Sequence, residues 1–109
     1  MKLRIVRGGG LAGLATVTEV DSNALPAQEA EALSSKVAEM GFFDLPASFG
    51  SSTEPDRFNY AVTVSEANQT HTVTSGEQQL PQSMRSLIAW VSSLPGAESH
   101  VERPGHPKP

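Results

Sequence analysis

Hydrophobic and polar residues alternate with a period of two at the start of the chain. Over residues 2–7, Leu3 and Ile5 fall on one face, whereas Lys2 and Arg4 fall on the other. This spacing is that of a β-strand, whose successive side chains point to opposite faces. It predicts a first strand that covers a core with one side and meets solvent with the other.

The same alternation returns in the middle of the chain and predicts a β-hairpin. The forward strand extends from residue 58 to 65, and the return strand from 70 to 75. A turn centred on Ala67 and Asn68 aligns the valines of the two strands on one face, whereas an odd slip would separate them. The cross-strand pairs expected from this turn are Val64 with His71 and Val62 with Val73.

Two other segments repeat their apolar residues with the helical period. Pro26 is predicted as the first helical residue and Gly41 as the left-handed residue that closes this helix. The second helix is predicted over residues 81–93. The apolar stripe of the first helix is Ala30, Leu33, Val37 and Met40; that of the second is Met84, Leu87, Ile88, Val91 and Leu94.

The predicted order of elements is β-β-α-β-β-α. Hairpin-connected strands with polar outer faces favour an antiparallel sheet. The fold class is therefore α+β, with a four-stranded, mainly antiparallel sheet and two helices packed on one face. We expect a single domain over residues 1–94. Residues 95–109 carry prolines and charges with almost no apolar residue, which predicts a disordered tail.

A glycine cluster joins the first two predicted strands. Gly8, Gly10 and Gly13 match G-x-G-x-x-G, a fingerprint of dinucleotide-binding sites. That site requires a helix after the glycines, because the pyrophosphate binds at the helix N-terminus. Residues 14–20 instead contain two valines and two threonines, which favour a strand. We therefore interpret the glycines as a hairpin loop.

Composition narrows the classes of function. The 109 residues have a net charge of −4, and the eight lysines and arginines are scattered, which argues against nucleic-acid binding. No cysteine is present, so disulfides and thiol chemistry are excluded. No segment has the length and apolarity of a membrane span or signal peptide. We expect a cytoplasmic protein.

Catalytic and metal-binding patterns are missing from the sequence. His71 lies in a predicted strand among threonines, where a structural role is expected. His100 and His106 lie in the predicted disordered tail, which could not hold them in a rigid site. No ligand spacing for a metal is found. We therefore expect no enzyme activity, no metal and no cofactor.

Recognition of a protein is the function that these features leave open. The candidate surface is the glycine loop, with Leu11 at its tip, because glycines let a backbone approach a partner closely. The alternative is that the loop only connects the two strands of the hairpin and binds nothing. The segments 47–57 and 66–69 are other exposed candidates for a contact surface. The candidate contact residues are Arg7, Gly8, Gly9, Gly10, Leu11, Ala12 and Gly13.

Seven blocks of the sequence form an ordered set: residues 2–9, 13–14, 20–26, 41–46, 58–64, 71–73 and 87–91. Together they resemble the emfourin family, small bacterial protein inhibitors of thermolysin-like (protealysin-type, M4) zinc metalloproteases. The resemblance covers about residues 1–91. Departures from the family pattern are a third glycine, Gly10, and Leu11, where an aromatic residue is expected.

The resemblance implies a reversible one-to-one complex in which a monomeric inhibitor blocks the active-site cleft of the protease. Thermolysin-like enzymes favour a large apolar residue just after the scissile bond, which makes Leu11 a candidate anchor. No histidine or cysteine is placed to capture the catalytic zinc. The alternative is a protein-interaction module without inhibitory activity.

Overall fold

The computed structural model describes residues 1–9, 14–50 and 58–102. It has the predicted α+β class, but its antiparallel sheet has five strands in the order β4-β3-β1-β2-β5. The prediction of four strands is therefore wrong by one edge strand. In chain order the elements are β1 (Lys2–Gly9), β2 (Ala15–Asp21), α1 (Ala27–Glu39), β3 (Phe58–Glu66), β4 (Gln69–Gly76), α2 (Gln82–Ser92) and β5 (Glu98–Glu102).

The first strand of the sequence lies at the centre of the sheet. β1 pairs with β2 on one side and with β3 on the other, so Leu3 lies between Val20 and Val64. These three side chains are at most 4% exposed and belong to the core beneath the helices. The alternation in the sequence therefore identifies correctly which face of β1 is buried.

The β3–β4 hairpin has the predicted register. Val64 pairs with His71 and Val62 with Val73, as expected from a turn at residues 67–68. Ala67 has φ of 51°, a left-handed conformation that the tight turn requires. Because the side-chain period is two, this register keeps Val62, Val64 and Val73 fully buried.

Both helices pack their apolar stripes on the same face of the sheet. Pro26 precedes the first residue of α1, and Gly41 follows the helix with φ of 62°, the left-handed closure that was predicted. Short 3₁₀ turns follow β2 at Ser22–Ala24 and α1 at Phe42–Asp44. The fully buried members of the two stripes are Leu33, Val37, Met84, Leu87 and Val91.

The segment after α1 closes the core at the β4 side. Phe42 is fully buried and contacts the rings of Phe43 and His71 edge-on, with centroid distances of 5.9 and 5.6 Å. His71 is half-buried, and its Nε2 is 2.8 Å from the carbonyl oxygen of Leu45. This histidine holds the 3₁₀ turn against β4, which agrees with the structural role expected for it.

The expectation of a disordered tail from residue 95 is wrong for Glu98–Glu102, which form β5 against β2. Residues 103–109 lie outside the described part of the chain. Four of the five β5 residues are exposed, so the strand has too little apolar content to be recognised from its pattern. Backbone bonding to β2 stabilises it instead, together with a 3.0 Å contact between the Thr18 and Ser99 hydroxyls.

Truncation of Phe42 tests how much the segment after α1 contributes to stability by closing the core. We expect Phe42→Ala to lower the free energy of unfolding by about 3–5 kcal/mol, because it opens a cavity in the core. Phe43→Ala is the matched control and should cost less, since Phe43 is only partly buried. Urea unfolding measures the stability of both variants. Equal losses of unfolding free energy would contradict the conclusion that Phe42 is the main residue closing the core.

Candidate functional site

The structure places the first three predicted contact residues, Arg7, Gly8 and Gly9, at the end of β1. The other four, Gly10, Leu11, Ala12 and Gly13, lie outside the described residues. Leu14 follows the gap and leads into β2. The described flanks therefore form two adjacent antiparallel strands, and β2 confirms that a strand, not a helix, follows the glycines. The nucleotide-binding interpretation is excluded by this geometry.

The backbone conformation at Gly9 is one that favours glycine. Its φ is 100°, a conformation that residues with a Cβ rarely adopt. Gly8 is less constrained, because an added Cβ would meet the Ala15 side chain at an ordinary 3.9 Å. The sharp change of direction at the end of β1 therefore begins at Gly9.

Arg7 is held over an aromatic ring on the neighbouring strand. Its guanidinium carbon lies 4.6 Å from the ring centroid of Phe58, two residues along β3 from its pairing partner Tyr60. Phe58 is fixed by Glu77, whose backbone N–H donates to the Phe58 carbonyl and whose carboxylate accepts from the Phe58 N–H. No carboxylate of the described residues lies within 4.0 Å of Arg7. Its exposed charge is thus oriented but not neutralised.

Two exposed apolar residues that the sequence analysis missed lie at the same end of the sheet as Arg7. Leu14 is 39% exposed and Val101 is 60% exposed, and they are the exposed large hydrophobic side chains of the described residues. Leu14 directly precedes β2. The pairing register places Val101 on the same face as Arg7, two strands away, with Thr16 between them. Leu14 adjoins the predicted loop and could have been included. Val101 lay in the predicted tail and gave no signal.

We call Arg7, Leu14, Phe58, Tyr60 and Val101 the loop-end patch. Tyr60 belongs to it because it pairs directly with Arg7 and is half-buried. Aromatic and arginine side chains at the centre of an exposed apolar area are typical of residues that dominate binding energy at protein interfaces. The arrangement is suited to contact with another protein.

The remaining ionisable groups do not form a catalytic or metal centre among the described residues. No set of three His, Asp or Glu side chains is close enough there to hold a metal ion. His100, expected in a disordered tail, lies in β5 with its Nε2 3.1 Å from Glu102. None of the helices that the structure describes is long and apolar enough to cross a membrane.

One surface cavity lies away from the loop-end patch. It has a volume of about 380 Å³ and lies at the opposite end of the sheet, beside the Lys2 end of β1. Its walls combine Lys2 and Arg4 with Glu19, Asp21 and Glu98. A second cavity, of about 230 Å³, is lined by Gly8 and Tyr60 among other residues. Both are open to solvent, which favours recognition of a surface over binding of a small molecule.

Comparison with known proteins gives a family match. The model of the Emfourin family matches residues 5–92, which is most of the chain and includes the described members of the loop-end patch other than Val101. Searches of curated proteins and of solved structures found no match.

A double-mutant cycle tests the stacking of Arg7 on Phe58. We expect Arg7→Ala and Phe58→Ala to show a coupling of about 0.5–1 kcal/mol in the free energy of unfolding, as for exposed cation–π pairs. Arg4 and Phe58 form the control pair, because Arg4 lies on the opposite face of the sheet. Additivity in the first pair, or coupling in the control, would refute the contact.

Proposed function

This chain belongs to the Emfourin family, and on that premise we propose that it inhibits thermolysin-like (M4) zinc metalloproteases. In this proposal it blocks the active-site cleft of the protease in a reversible one-to-one complex. It acts by binding alone, so it needs no catalytic group, cofactor or metal of its own. We further propose that the protein is monomeric and cytoplasmic.

The observation that carries the proposal is the loop-end patch. It combines an oriented, unneutralised arginine with two of the most exposed apolar side chains, and it borders the glycine loop on both sides. Exposed apolar groups that cluster beside a loop are an energetic cost in water unless a partner covers them. A standard interface buries roughly 800 Å² per partner. The patch lies at both ends of the loop, and we expect loop and patch to contribute to one interface.

Leu11 is the proposed anchor of the complex. It is the large apolar residue between the glycines, and thermolysin-like enzymes favour such a residue just after the scissile bond. Although Leu11 itself lies outside the described residues, β1 and β2 bring both ends of its loop to one edge of the structure. Leu14 and Val101 would add apolar contacts beside the anchor, and Arg7 would face an acidic or carbonyl group of the protease.

The alternative function is a protein-interaction module without inhibitory activity, for which the same patch would serve. Titration of the purified chain into a thermolysin-like enzyme separates the two functions. An inhibitor reduces peptide hydrolysis in proportion to its concentration, with an end point at one chain per enzyme when binding is tight. Full activity at micromolar chain would favour the module.

Charge at the loop tip tests the proposed anchor. We expect Leu11→Asp to weaken inhibition at least tenfold, about 1.4 kcal/mol, because a carboxylate would have to enter an apolar subsite. Ala67→Asp is the matched control, since residues 67–68 turn at the opposite end of the sheet. This control should inhibit like the unaltered chain.

Both variants should unfold at the same urea concentration as the unaltered chain, because Ala67 is exposed in a turn and Leu11 is predicted to lie in the glycine loop. Undiminished inhibition by folded Leu11→Asp would remove the glycine loop from the contact. A loss caused by Ala67→Asp instead would move the contact to the other end of the sheet, where residues 66–69 are the competing candidate.

A further inference from the structure

The two edges of the sheet differ in how their backbone is covered. Along β4, the Thr74 N–H donates to the Ala47 carbonyl at 2.8 Å, and the Phe49 N–H donates to the Thr74 carbonyl at 2.9 Å. β5 forms the other edge, and no strand pairs with its outer side in the described part of the chain. An open edge of this kind is a template for a further strand.

The register determines which β5 backbone groups face outward. The Ser22 N–H donates to the Met1 carbonyl just beyond the paired residues of β1 and β2. Bonded and non-bonded pairs alternate in an antiparallel ladder, so even-numbered residues of β2 bond to β1 and odd-numbered ones bond to β5. The odd residues pair with Glu98, His100 and Glu102. The N–H and C=O groups of Ser99 and Val101 therefore point outward.

Along this edge, one face carries Ser99 and Val101, and the other carries His100 between Glu98 and Glu102. Val101 is 60% exposed on the helix-bearing face. On the opposite face, Glu98 stands directly across from Glu19 of β2, and no cationic group of the described residues lies within 4.0 Å of either. Like charges placed opposite each other destabilise a strand pair. A cation brought to this edge would relieve that repulsion.

An excess of acidic charge favours basic side chains at this edge. The cavity of about 380 Å³ on this face is lined by Glu19, Asp21 and Glu98 together with the cations Lys2 and Arg4. The Arg4 guanidinium lies 4.0 Å from the Glu102 carboxylate, so that carboxylate already has a cationic neighbour. Carboxylates therefore outnumber cations here, and Glu98 is the one that a strand added beside β5, roughly 5 Å away, would meet without a competing ion pair.

We propose that β5 binds an extended, basic segment of a partner protein by β-strand addition. The backbone of that segment pairs with Ser99 and Val101, an apolar side chain lies beside Val101, and a basic side chain lies beside Glu98. The edge shares Val101 with the loop-end patch, so its test uses no protease and reads binding of the added strand alone.

A second copy of the chain is a poorer occupant of the edge. The antiparallel register that overlaps the whole strand pairs Ser99 with Val101 of the other copy. It also sets Glu98 against Glu102 twice, which adds two like-charge pairs to the interface. A basic segment of a different protein removes both repulsions.

A pair of peptides tests the proposal on the full chain. The probe is acetyl-Lys-Val-Thr-Val-Lys-amide, and the control has glutamate in place of both lysines. With the lysine peptide we expect amide chemical-shift changes centred on β5 and slower hydrogen exchange at Ser99 and Val101. We expect binding of the glutamate peptide to be at least about fivefold weaker, because it opposes the edge carboxylates.

Proline variants test the pairing itself. Val101→Pro removes an outward N–H without removing a bond to β2, a position at which edge strands tolerate proline. It should abolish binding of the lysine peptide. Thr72→Pro is the matched control, because Thr72 faces outward on β4 at the opposite edge, and it should leave binding unchanged. Retained amide signals across β2 show that β5 still pairs in Val101→Pro.

A charge-reversal variant provides a second test for the case in which β5 no longer pairs with β2 in Val101→Pro. Glu98→Lys should move the preference towards the glutamate peptide, whereas Glu66→Lys, in an exposed position at the far turn, should not. The proposal is overturned if the lysine peptide does not bind at millimolar concentration, if its shifts map elsewhere, or if Val101→Pro binds normally. Sedimentation that shows dimers lost in Val101→Pro would overturn it in favour of a second copy.

Discussion

Burial of Leu3 and Ile5 between two flanking strands is the constraint on which the rest of the structure depends. β1 pairs on both sides, so its register determines those of β2 and β3 together. A shift by one residue would place Lys2 and Arg4 in the core and expose both apolar side chains. The same register brings Arg7 over Phe58 and sends Gly9 out of the sheet. The position of the candidate contact surface is therefore a consequence of core packing.

The two ends of the sheet differ in how completely the helices cover their side chains. The helices cover the valine and leucine rows of β1, β3 and β4, where the core is complete. Towards the glycine loop this cover ends, and Leu14, Phe58, Tyr60 and Val101 remain exposed or half-buried around Arg7. Most apolar side chains are buried at the first end, and exposed apolar side chains are left at the second. Under the proposed function, a substitution in the patch would change recognition with little effect on stability.

The two edges of the sheet also differ in whether their outward backbone groups are hydrogen-bonded. The outward backbone groups of Thr74 and Gly76 on β4 are bonded by residues 47–50. β5 has acidic side chains on one face and an exposed valine on the other. Charged residues on an edge strand discourage aggregation, and they also select the charge of any strand that can be added. Protection of the edge and specificity for a basic segment can thus have the same physical origin.

The sequence by itself determined the elements whose residues alternate or repeat locally. These are β1, the β3–β4 hairpin with its register, both helices and the left-handed Gly41, because each depends on side-chain period or turn chemistry within a short segment. It also predicted a hairpin loop that begins after Arg7 and includes Gly9. The tertiary structure decided the central position of β1, the existence of β5 and the contact of Arg7 with Phe58. These depend on pairing between distant segments, and β5 is stabilised by backbone hydrogen bonds that no side-chain pattern records.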